Sequence, residues 1–201
     1  MKRHRTIGVV GRPLTLGERP EIYDGVDANL QKILVQAGLV PITLSSYLED
    51  PVNSFKALSL AGFVLSGGGN VGDPPERALL ESVILQYASD RSLPVLGICR
   101  GMQVMVTWLG GAVEPGEGHV MVRHHVDFPN ETKRLVNSFH EFVVHSQQVP
   151  PCLKPLALAS DRTVEAVQHD SLPWLGIMWH PEREAPFHSE DISLIMNLFG
   201  S

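Results

Sequence analysis

Apolar runs alternate with segments of helical periodicity along the first half of the chain. Short apolar runs that end at glycine or proline are typical of strands buried on both faces of a parallel sheet. Apolar residues spaced three and four apart predict helices between these runs. The predicted strands are residues 6–10, 40–44, 62–66 and 93–98, and the predicted helices are residues 26–37, 52–60, 75–89 and 101–109. This alternation predicts a mainly parallel sheet with helices on both faces, in three α/β/α layers.

The pattern changes after residue 109. Strand-like runs then follow one another without helices between them, at residues 120–126, 135–137, 142–145, 156–159 and 164–168. Such a succession predicts an antiparallel extension of the sheet. Residues 173–179 restore a buried strand, and residues 191–199 predict a closing helix. Because 201 residues with 43% hydrophobic content can build one sizeable core but hardly two, we expect one domain over residues 1–201.

Charge and composition narrow the range of partners. The chain has 16 basic and 22 acidic residues, so it has no strong positive field to attract nucleic acid or an anionic membrane. No segment approaches the roughly 20 apolar residues of a membrane span. The basic start, Met1 to Arg5, is not followed by the long apolar region of a signal peptide. We therefore expect a cytoplasmic protein that acts on a small molecule.

Cys99 lies where a predicted strand meets a predicted helix, with Gly97 and Gly101 nearby. A nucleophile elbow requires this context, because the sharp turn exposes the central side chain and only glycine lets the backbone approach itself so closely. The helix N-terminus is also expected to favour thiolate over thiol. The alternative is a small buried side chain, the commonest fate of a free cysteine. Cys152 has no comparable setting, so we predict Cys99 as the nucleophile.

His180 follows the apolar run 173–179, so its side chain should emerge at the carboxyl edge of the sheet. Open α/β sheets bind their ligands along that edge. Pro181 turns the chain, and Glu182 is close enough in sequence to accept a hydrogen bond from the imidazole and orient it. Taken alone, this tripeptide could be an ordinary surface turn. Together with Cys99 it predicts a Cys-His-Glu triad.

Three consecutive glycines, Gly67 to Gly69, follow another predicted strand. Backbone amides in such a loop can be directed at a ligand. The chain has no P-loop motif, so a nucleotide-hydrolysing site is not indicated. We assign the amides of Gly68 and Arg100 to an oxyanion hole, with Gly67 and Gly69 beside the substrate.

Four motifs together resemble the class I glutamine amidotransferase-like superfamily, and within it the γ-glutamyl hydrolases. They are the loop from Ser66 to Asn70, GICRGMQ at 97–103, VNSFH at 136–140 and GIMWHPE at 176–182. They occur in the family's order and span nearly the whole chain. The resemblance implies a flavodoxin-like fold in which Cys99 attacks a γ-carbonyl, His180 transfers the proton and Glu182 orients His180. It also implies that Gln103 and the backbone around Ser138 and Phe139 bind the glutamyl α-amino and α-carboxylate groups.

Residues 118–125 resemble a segment of small hydrolases of bacterial capsule-sugar pathways, one of which removes glutamate from a γ-glutamyl nucleotide amidate. By this resemblance His119, Arg123 and His124 would contact a phosphate or phosphoramidate. Metal binding is the rival interpretation. In a regular strand His119, Arg123 and His125 share one face while His124 points the other way, so His124 and His125 cannot face one site. We predict no metal, and a thioester mechanism needs no other cofactor.

Three functions are compatible with these residues. The first is a hydrolase that releases glutamate and an amine by way of a thioester on Cys99. The second is a glutaminase subunit that delivers ammonia to a synthetase on another chain. Arg100, directly after the cysteine, is typical of the hydrolase branch and favours the first. The third, a non-catalytic relative, is disfavoured because all three triad positions are present. A second copy of the chain and a synthetase both stay open as partners.

Overall fold

The computed structural model describes residues 5–15, 17, 18 and 21–200. The strands in this part of the chain are β1 (Arg5–Val10), β2 (Arg12–Thr15), β3 (Ile22–Gly25), β4 (Leu39–Leu44), β5 (Phe63–Leu65), β6 (Val95–Ile98), β7 (Glu114–Pro115), β8 (Val120–Asp127), β9 (Lys133–Phe139), β10 (Phe142–Val143), β11 (Leu153–Ala159), β12 (Val164–His169) and β13 (Trp174–Ile177). The α-helices are α1 (Ala28–Gln36), α2 (Pro51–Ala57), α3 (Pro75–Arg91), α4 (Arg100–Trp108) and α5 (Ser189–Phe199). Of the basic start, residues 1–4 lie outside the described residues.

Nine of the described strands form one sheet in the order β4-β1-β5-β6-β13-β12-β11-β8-β9. The pairs from β4 to β13 are parallel, and the pairs from β13 to β9 are antiparallel. The sequence prediction of a mainly parallel sheet with an antiparallel extension is therefore confirmed. The register of β6 with β13 places Ile98 opposite Ile177, so the residues that follow both strands emerge side by side at one edge.

Helices cover both faces of the parallel half. Helices α1 and α5 pack against one face, and α2, α3 and α4 pack against the other. Strand β5 is buried on both faces. Phe63 and Leu65 pack into the core on one face of the sheet, and Val64 packs into the core on the other. Successive side chains of a strand point to opposite faces, so both must be apolar here. None of the helices in the described residues is long and apolar enough to cross a membrane.

The sequence prediction missed the short strands β2, β3 and β7, whereas β10 lies within the predicted run at residues 142–145. Strands β2 and β3 pair antiparallel, as do β7 and β10. Gly11 and Pro13 indicated only where β1 ends, and β1 does end at Val10. Pro13 nevertheless lies inside β2, in a two-stranded sheet whose strands are both edges, which is where a strand tolerates a residue without an amide hydrogen. The hairpin formed by β2 and β3 brings Arg12 to the glycine loop. The guanidinium of Arg12 lies next to Gly68 there.

A bulge in β8 corrects the face assignment made from the sequence. Met121 has φ +54°, and the pairing of β8 with β9 shifts between Val120 and Val122. One extra residue in a strand inverts the alternation beyond it. His119 and His124 therefore lie on the same inward side with ring centroids 5.0 Å apart, while His125 is exposed. The sequence-based argument that His124 points away from His119 was wrong.

Candidate active site

Cys99 occupies a strained elbow between β6 and α4. Its backbone angles are φ +51° and ψ −107°, which a non-glycine residue rarely adopts. The turn is so close that a Cβ on Gly101 would lie 2.1 Å from the carbonyl oxygen of Leu65, and one on Gly97 would lie 2.6 Å from the carbonyl carbon of Gly101. Only glycine fits at either position. The elbow expected from the sequence is present.

His180 and Glu182 stand beside Cys99 at the end of β13. His180 Nδ1 and Glu182 Oε1 are 2.7 Å apart, and both residues are buried. A Cβ on Gly67 would lie 2.7 Å from His180 Cε1 and 3.6 Å from Cys99 Cβ, so the cysteine and the imidazole meet where Gly67 has no side chain. The hydrogen bond to Glu182 uses Nδ1 and leaves Nε2 of His180 to act on a proton.

The environment of Cys99 opposes ionisation. Burial raises the pKa of its thiol to about 12, although the amide of Arg100 and the charge of Arg183 act to lower it. The carboxylates of Glu182 and Glu165 act in the same direction as burial. The expectation that the helix N-terminus would favour thiolate is therefore outweighed by desolvation of the charge. A base that takes the proton during attack becomes necessary.

Three buried residues, Arg77, Glu81 and Arg100, form an arginine cluster behind the glycine loop. Glu81 pairs with Arg77 at 3.1 Å and also with Arg100. Arg77 donates to the carbonyl oxygens of Ser66 and Gly68, each at 2.6 Å. Arg100 donates to the carbonyl oxygens of residues 70 and 73 at 2.8 and 3.0 Å. These bonds fix the loop in which Gly68 and Gly69 adopt φ +91° and +76°. The sequence singled out the Arg100 amide but missed its side chain.

Burial lowers the pKa of Arg77 to about 10, and the charge of Arg100 adds to that effect. Burial also raises the pKa of Glu81, against the effect of the two arginines. Two guanidinium groups around one carboxylate leave Glu81 as the only carboxylate in the cluster that offsets their charge. The cluster thus depends on Glu81 more than on either arginine.

A cavity of about 270 Å³ opens above Cys99. Gln103 lines it and donates to the carbonyl oxygen of Phe142 at 2.9 Å. The ring of Phe139 meets His180 edge-on with centroids 5.8 Å apart, and the guanidinium of Arg183 lies 4.2 Å above Phe139. Arg183 is exposed and reaches both this cavity and a neighbouring one that Gly67 and Arg12 line. The sequence prediction missed Arg183, although it directly follows Glu182.

The side chain of Asn137 makes two hydrogen bonds to the backbone of His180. Asn137 was not singled out from the sequence. Its side-chain oxygen accepts from the amide of His180 at 2.9 Å, and its side-chain nitrogen donates to the carbonyl oxygen of His180 at 2.8 Å. Such a pair fixes the backbone of the histidine in one position. The available signal was its place in the VNSFH motif, directly after the apolar pair Leu135-Val136, because an amide that is buried in a strand is normally hydrogen-bonded. The next residue, Ser138, is buried and donates to the carbonyl oxygen of His119 at 2.7 Å.

A histidine cluster lies on the other side of the sheet edge, where His119, His124 and His140 surround the buried carboxylate of Glu165. The distances from their ring nitrogens to Glu165 oxygens are 3.5, 3.5 and 3.4 Å. Although burial acts to raise it, the pKa of Glu165 is held well below its ordinary value by the three imidazoles. Glu165 raises the pKa of His119 in turn. Glu165 was not singled out from the sequence.

The structure brings only some of the residues predicted to bind substrate to Cys99, and Ser138 is not among the residues that line either cavity. Gly68, Gly69, Gln103 and Phe139 line the cavity at Cys99, and Gly67 lines the neighbouring one. His119 and His124 face Glu165 instead. Arg123 is exposed and pairs with Glu184 at 3.0 Å.

A parallel sheet with a cysteine elbow on one strand, and a His-Glu pair at the end of the next, is the arrangement that nucleophilic acyl transfer requires. Fold and site thus define a class of α/β protein built around a buried cysteine. The chain belongs to the glutamine amidotransferase class-I family, whose model matches residues 20–194.

Curated relatives include hydrolases and synthase components. The chain is 36% identical over 127 residues to a γ-glutamyl-CDP-amidate hydrolase of Campylobacter jejuni, an alignment that covers 60% of this chain and 62% of that protein. It is 28% identical over 169 residues to a glutamine-hydrolysing GMP synthase subunit of Thermococcus kodakarensis, which covers 81% of this chain and 85% of that protein. The chain thus matches less than two thirds of the hydrolase but most of the synthase subunit.

Solved structures agree on the fold. A GMP synthase subunit of Thermoplasma acidophilum superposes with a TM-score of 0.74 at 19% identity, covering 100% of this chain and 94% of that one. A glutamine amidotransferase of Thermotoga maritima superposes with a TM-score of 0.67 at 16% identity, covering 96% and 83%. At these identities the likeness establishes the fold alone.

Proposed function

We propose that this protein hydrolyses a γ-glutamyl amide through Cys99, His180 and Glu182, releasing glutamate and an amine. The observation that carries the proposal is the strained Cys99 elbow beside a His180 that is hydrogen-bonded to Glu182 at 2.7 Å. Membership of the amidotransferase family and the Campylobacter relative support a γ-glutamyl amide as the bond that is cleaved.

In the first half-reaction Nε2 of His180 takes the thiol proton as the sulfur of Cys99 attacks the γ-carbonyl carbon. The amides of Gly68 and Arg100 stabilise the oxyanion of the tetrahedral intermediate. The C–N bond then breaks, and the imidazolium returns its proton to the leaving amine. A γ-glutamyl thioester stays on Cys99. General-base assistance is required, because the thiol has a pKa of about 12 before substrate binds.

In the second half-reaction a water molecule gives one proton to His180 and attacks the thioester carbonyl. The C–S bond breaks, glutamate leaves with the new carboxyl oxygen, and the proton on His180 returns to the sulfur. Glu182 stabilises the imidazolium in both halves and fixes the tautomer that leaves Nε2 as the base. No metal or organic cofactor takes part in this scheme.

We assign the glutamyl end of the substrate to the cavity at Gln103 and Phe139. The amine end would leave toward Arg183 and Arg12, two cationic side chains in adjoining cavities. Guanidinium groups bind phosphate oxygens well, so this placement favours a phosphorylated amine such as a nucleotide amidate of a surface-polysaccharide pathway. His119 and His124 are not part of this proposal, because both face Glu165.

The alternative is a glutaminase subunit that delivers ammonia to a separate synthetase. The alignments with synthase subunits favour it, because they cover 85% of the Thermococcus protein. Both functions use the same triad. They differ in the second product and in the need for a partner.

The test is a mass-spectrometric assay of glutamate release by the purified chain alone. Glutamine is compared with a panel of γ-glutamyl amines and γ-glutamyl nucleotide amidates. Cys99→Ala should abolish turnover, with a loss of at least about 10⁴-fold, and Cys152→Ala is the matched control that should retain it. Turnover of a larger amide with glutamine nearly inert supports the hydrolase.

Activity on glutamine alone, or only after the ATPase component of a GMP synthase is added, supports the ammonia-delivering role. Turnover that survives Cys99→Ala would refute both assignments. Product analysis separates the two surviving cases, since the hydrolase releases an amine and the ammonia-delivering protein releases ammonia.

A further inference from the structure

The histidine cluster contains buried polar atoms that have no hydrogen-bond partner among the described residues. Both carboxylate oxygens of Glu165, Nδ1 of His119 and Nε2 of His124 and His140 are buried without a hydrogen-bond partner among the described residues. Glu165 is fully buried, and His119 and His140 are almost so. Unpartnered buried polar atoms are rare and point to a missing ion or water.

The hydrogen bonds that His119 and His140 make through the ring nitrogens remote from Glu165 determine whether the other nitrogen, which faces Glu165, carries a hydrogen. Nε2 of His119 is 2.8 Å from a carboxylate oxygen of Asp161, and Nδ1 of His140 is 2.9 Å from the carbonyl oxygen of Phe142. Both partners are acceptors, so each of these nitrogens carries the hydrogen. The other nitrogen of each neutral ring therefore presents a lone pair to the carboxylate.

A nitrogen that carries a lone pair cannot donate a hydrogen bond to a carboxylate. In these tautomers the neutral rings of His119 and His140 therefore direct two acceptor nitrogens at the acceptor oxygens of Glu165. A cation between them removes the conflict. It can be supplied as protons on the rings or as one metal ion. Orientation of a histidine by a carboxylate or a carbonyl oxygen on its far nitrogen is the usual arrangement behind metal-binding imidazoles.

The spacing fits a metal ion. Ligand atoms of His119, His124 and Glu165 all lie within 4.8 Å of one another, and Nε2 of His140 is 3.4 Å from the same carboxylate. Four ligands at about 2.0–2.1 Å from a tetrahedral ion are separated by about 3.3 Å. The ring nitrogens of His119 and His140 are 3.5 and 3.4 Å from Oε1 of Glu165, and that of His124 is 3.5 Å from Oε2, all close to that value.

We propose that His119, His124, His140 and Glu165 form a binding site for a single divalent transition-metal ion of the zinc class. Three imidazoles and one carboxylate are a donor set that such ions prefer over magnesium or calcium. This opposes the prediction of no metal from the sequence. The bulge at Met121 overturns the expected placement of His119 and His124 on opposite faces, although His124 and His125 do point to opposite sides as expected. The inference does not depend on the proposed hydrolase function.

The ion would connect three elements of the antiparallel half. His124 lies in β8 and His119 directly before it, His140 directly follows β9, and Glu165 lies in β12. The backbone of Glu165 accepts from the amide of Met178, two residues before His180. The ion would thus connect the outer strands β8 and β9, the second of which carries Phe139, to β12, which lies beside the strand that leads to His180. This is a structural site beside the catalytic one.

The test uses the full chain with Cys99→Ser and Cys152→Ser, which remove the two thiols that could themselves bind zinc. The protein is treated with a chelator, dialysed and titrated with Zn²⁺ by calorimetry. Binding of one ion with a micromolar or lower Kd is expected. Co²⁺ should also bind with the visible spectrum of a tetrahedral site. Both measurements use wild-type ligand residues, so they do not depend on how a variant folds.

Two variants locate the site. His124→Asn and Glu165→Gln should each weaken Zn²⁺ binding at least about 100-fold, a loss at the upper end of what outer-shell partners alone cause. His125→Asn, at the exposed neighbouring position of the same strand, is the matched control and should bind as tightly as the parent.

Absence of stoichiometric Zn²⁺ and Co²⁺ binding by the parent would overturn the proposal and leave protonated imidazoles as the cations. Binding that survives both His124→Asn and Glu165→Gln would also overturn it. A loss of binding in folded His124→Asn, with His125→Asn unaffected, supports it.

Discussion

The arginine cluster and the histidine cluster flank the same cysteine and solve the problem of buried charge differently. The arginine cluster surrounds one carboxylate with two permanent cations, and the donors left over bind carbonyl oxygens of the glycine loop. The histidine cluster surrounds one carboxylate with three rings that are cations only when protonated. The first cluster carries its own countercharge, and the second must acquire a cation from solution.

The residues on the two sides of Cys99 act on its thiol in opposite directions. The backbone amide of Arg100 and the charge of Arg183 lower the pKa of the thiol, while the carboxylates of Glu182 and Glu165 raise it, and burial raises it most. The comparison teaches that the arginine cluster fixes the glycine loop beside the nucleophile, whereas the histidine cluster places a carboxylate whose charge acts on the thiol itself. Substitutions in the arginine cluster and substitutions in the histidine cluster should therefore have different effects on stability and on the reactivity of Cys99.

Glu81→Gln tests the arginine cluster and should have the largest effect on stability. It leaves two buried guanidinium groups without their carboxylate, which should lower the free energy of unfolding by about 3–5 kcal/mol. Urea denaturation measures it. Glu76→Gln, at an exposed position of the same helix, is the control and should change stability by less than about 0.5 kcal/mol. Equal effects of the two substitutions would contradict the assigned role.

Asn137→Ala tests whether the side chain of Asn137, in β9, positions the proposed catalytic base His180. We expect kcat to fall about 10–100-fold with little change in KM, because a small displacement of His180 disturbs proton transfer more than substrate binding. Steady-state kinetics on the substrate found by the panel measure it. Asn197→Ala, in an exposed position of α5, should be neutral. A rise in KM at constant kcat would instead indicate a contact with substrate.

Alkylation of Cys99 tests whether burial or the neighbouring backbone amide and Arg183 dominate the pKa of its thiol. Because the pKa of the thiol is raised to about 12, the thiolate fraction should increase about tenfold for each pH unit between pH 7 and 9. The rate of iodoacetamide modification, followed by mass spectrometry in a Cys152→Ser chain, should rise in proportion. A rate that levels off near neutral pH would show that the loop and the helix N-terminus dominate over burial.

Glu165→Gln in the presence of a chelator should have the smallest effect. The substitution gives the rings an amide donor in place of a buried carboxylate, so the free energy of unfolding at pH 8 should change by less than about 1 kcal/mol. Urea denaturation beside Glu81→Gln gives the direct comparison. A loss as large as that of Glu81→Gln would mean that protonated imidazoles already neutralise Glu165.

Local patterns predicted most of the fold and the centre of the site. The double-sided burial of β5 and β6 follows from their continuous apolar runs, and the elbow at Cys99 follows from its flanking glycines. His180 and Glu182 could be singled out from the sequence because the chain order of strand, histidine and turn is itself local. Each of these features is encoded by neighbouring residues.

The missed features depend on contacts between distant segments. The bulge at Met121 has no mark in the sequence, because methionine rarely adopts a positive φ. The burial of the Arg100 side chain depends on Glu81, nineteen residues away. Glu165 gave a usable signal that was overlooked: a charged residue within the apolar run of β12 predicts a buried partner.

The backbone angles of Cys99 imply that activity and robustness oppose each other at this position. A side chain at φ +51° and ψ −107° costs on the order of 1–3 kcal/mol that glycine would not incur. Cys99→Gly should therefore give a chain that melts at a higher temperature and has no turnover. Laboratory evolution selected for heat resistance alone would discard the nucleophile, so such a screen must be coupled to activity.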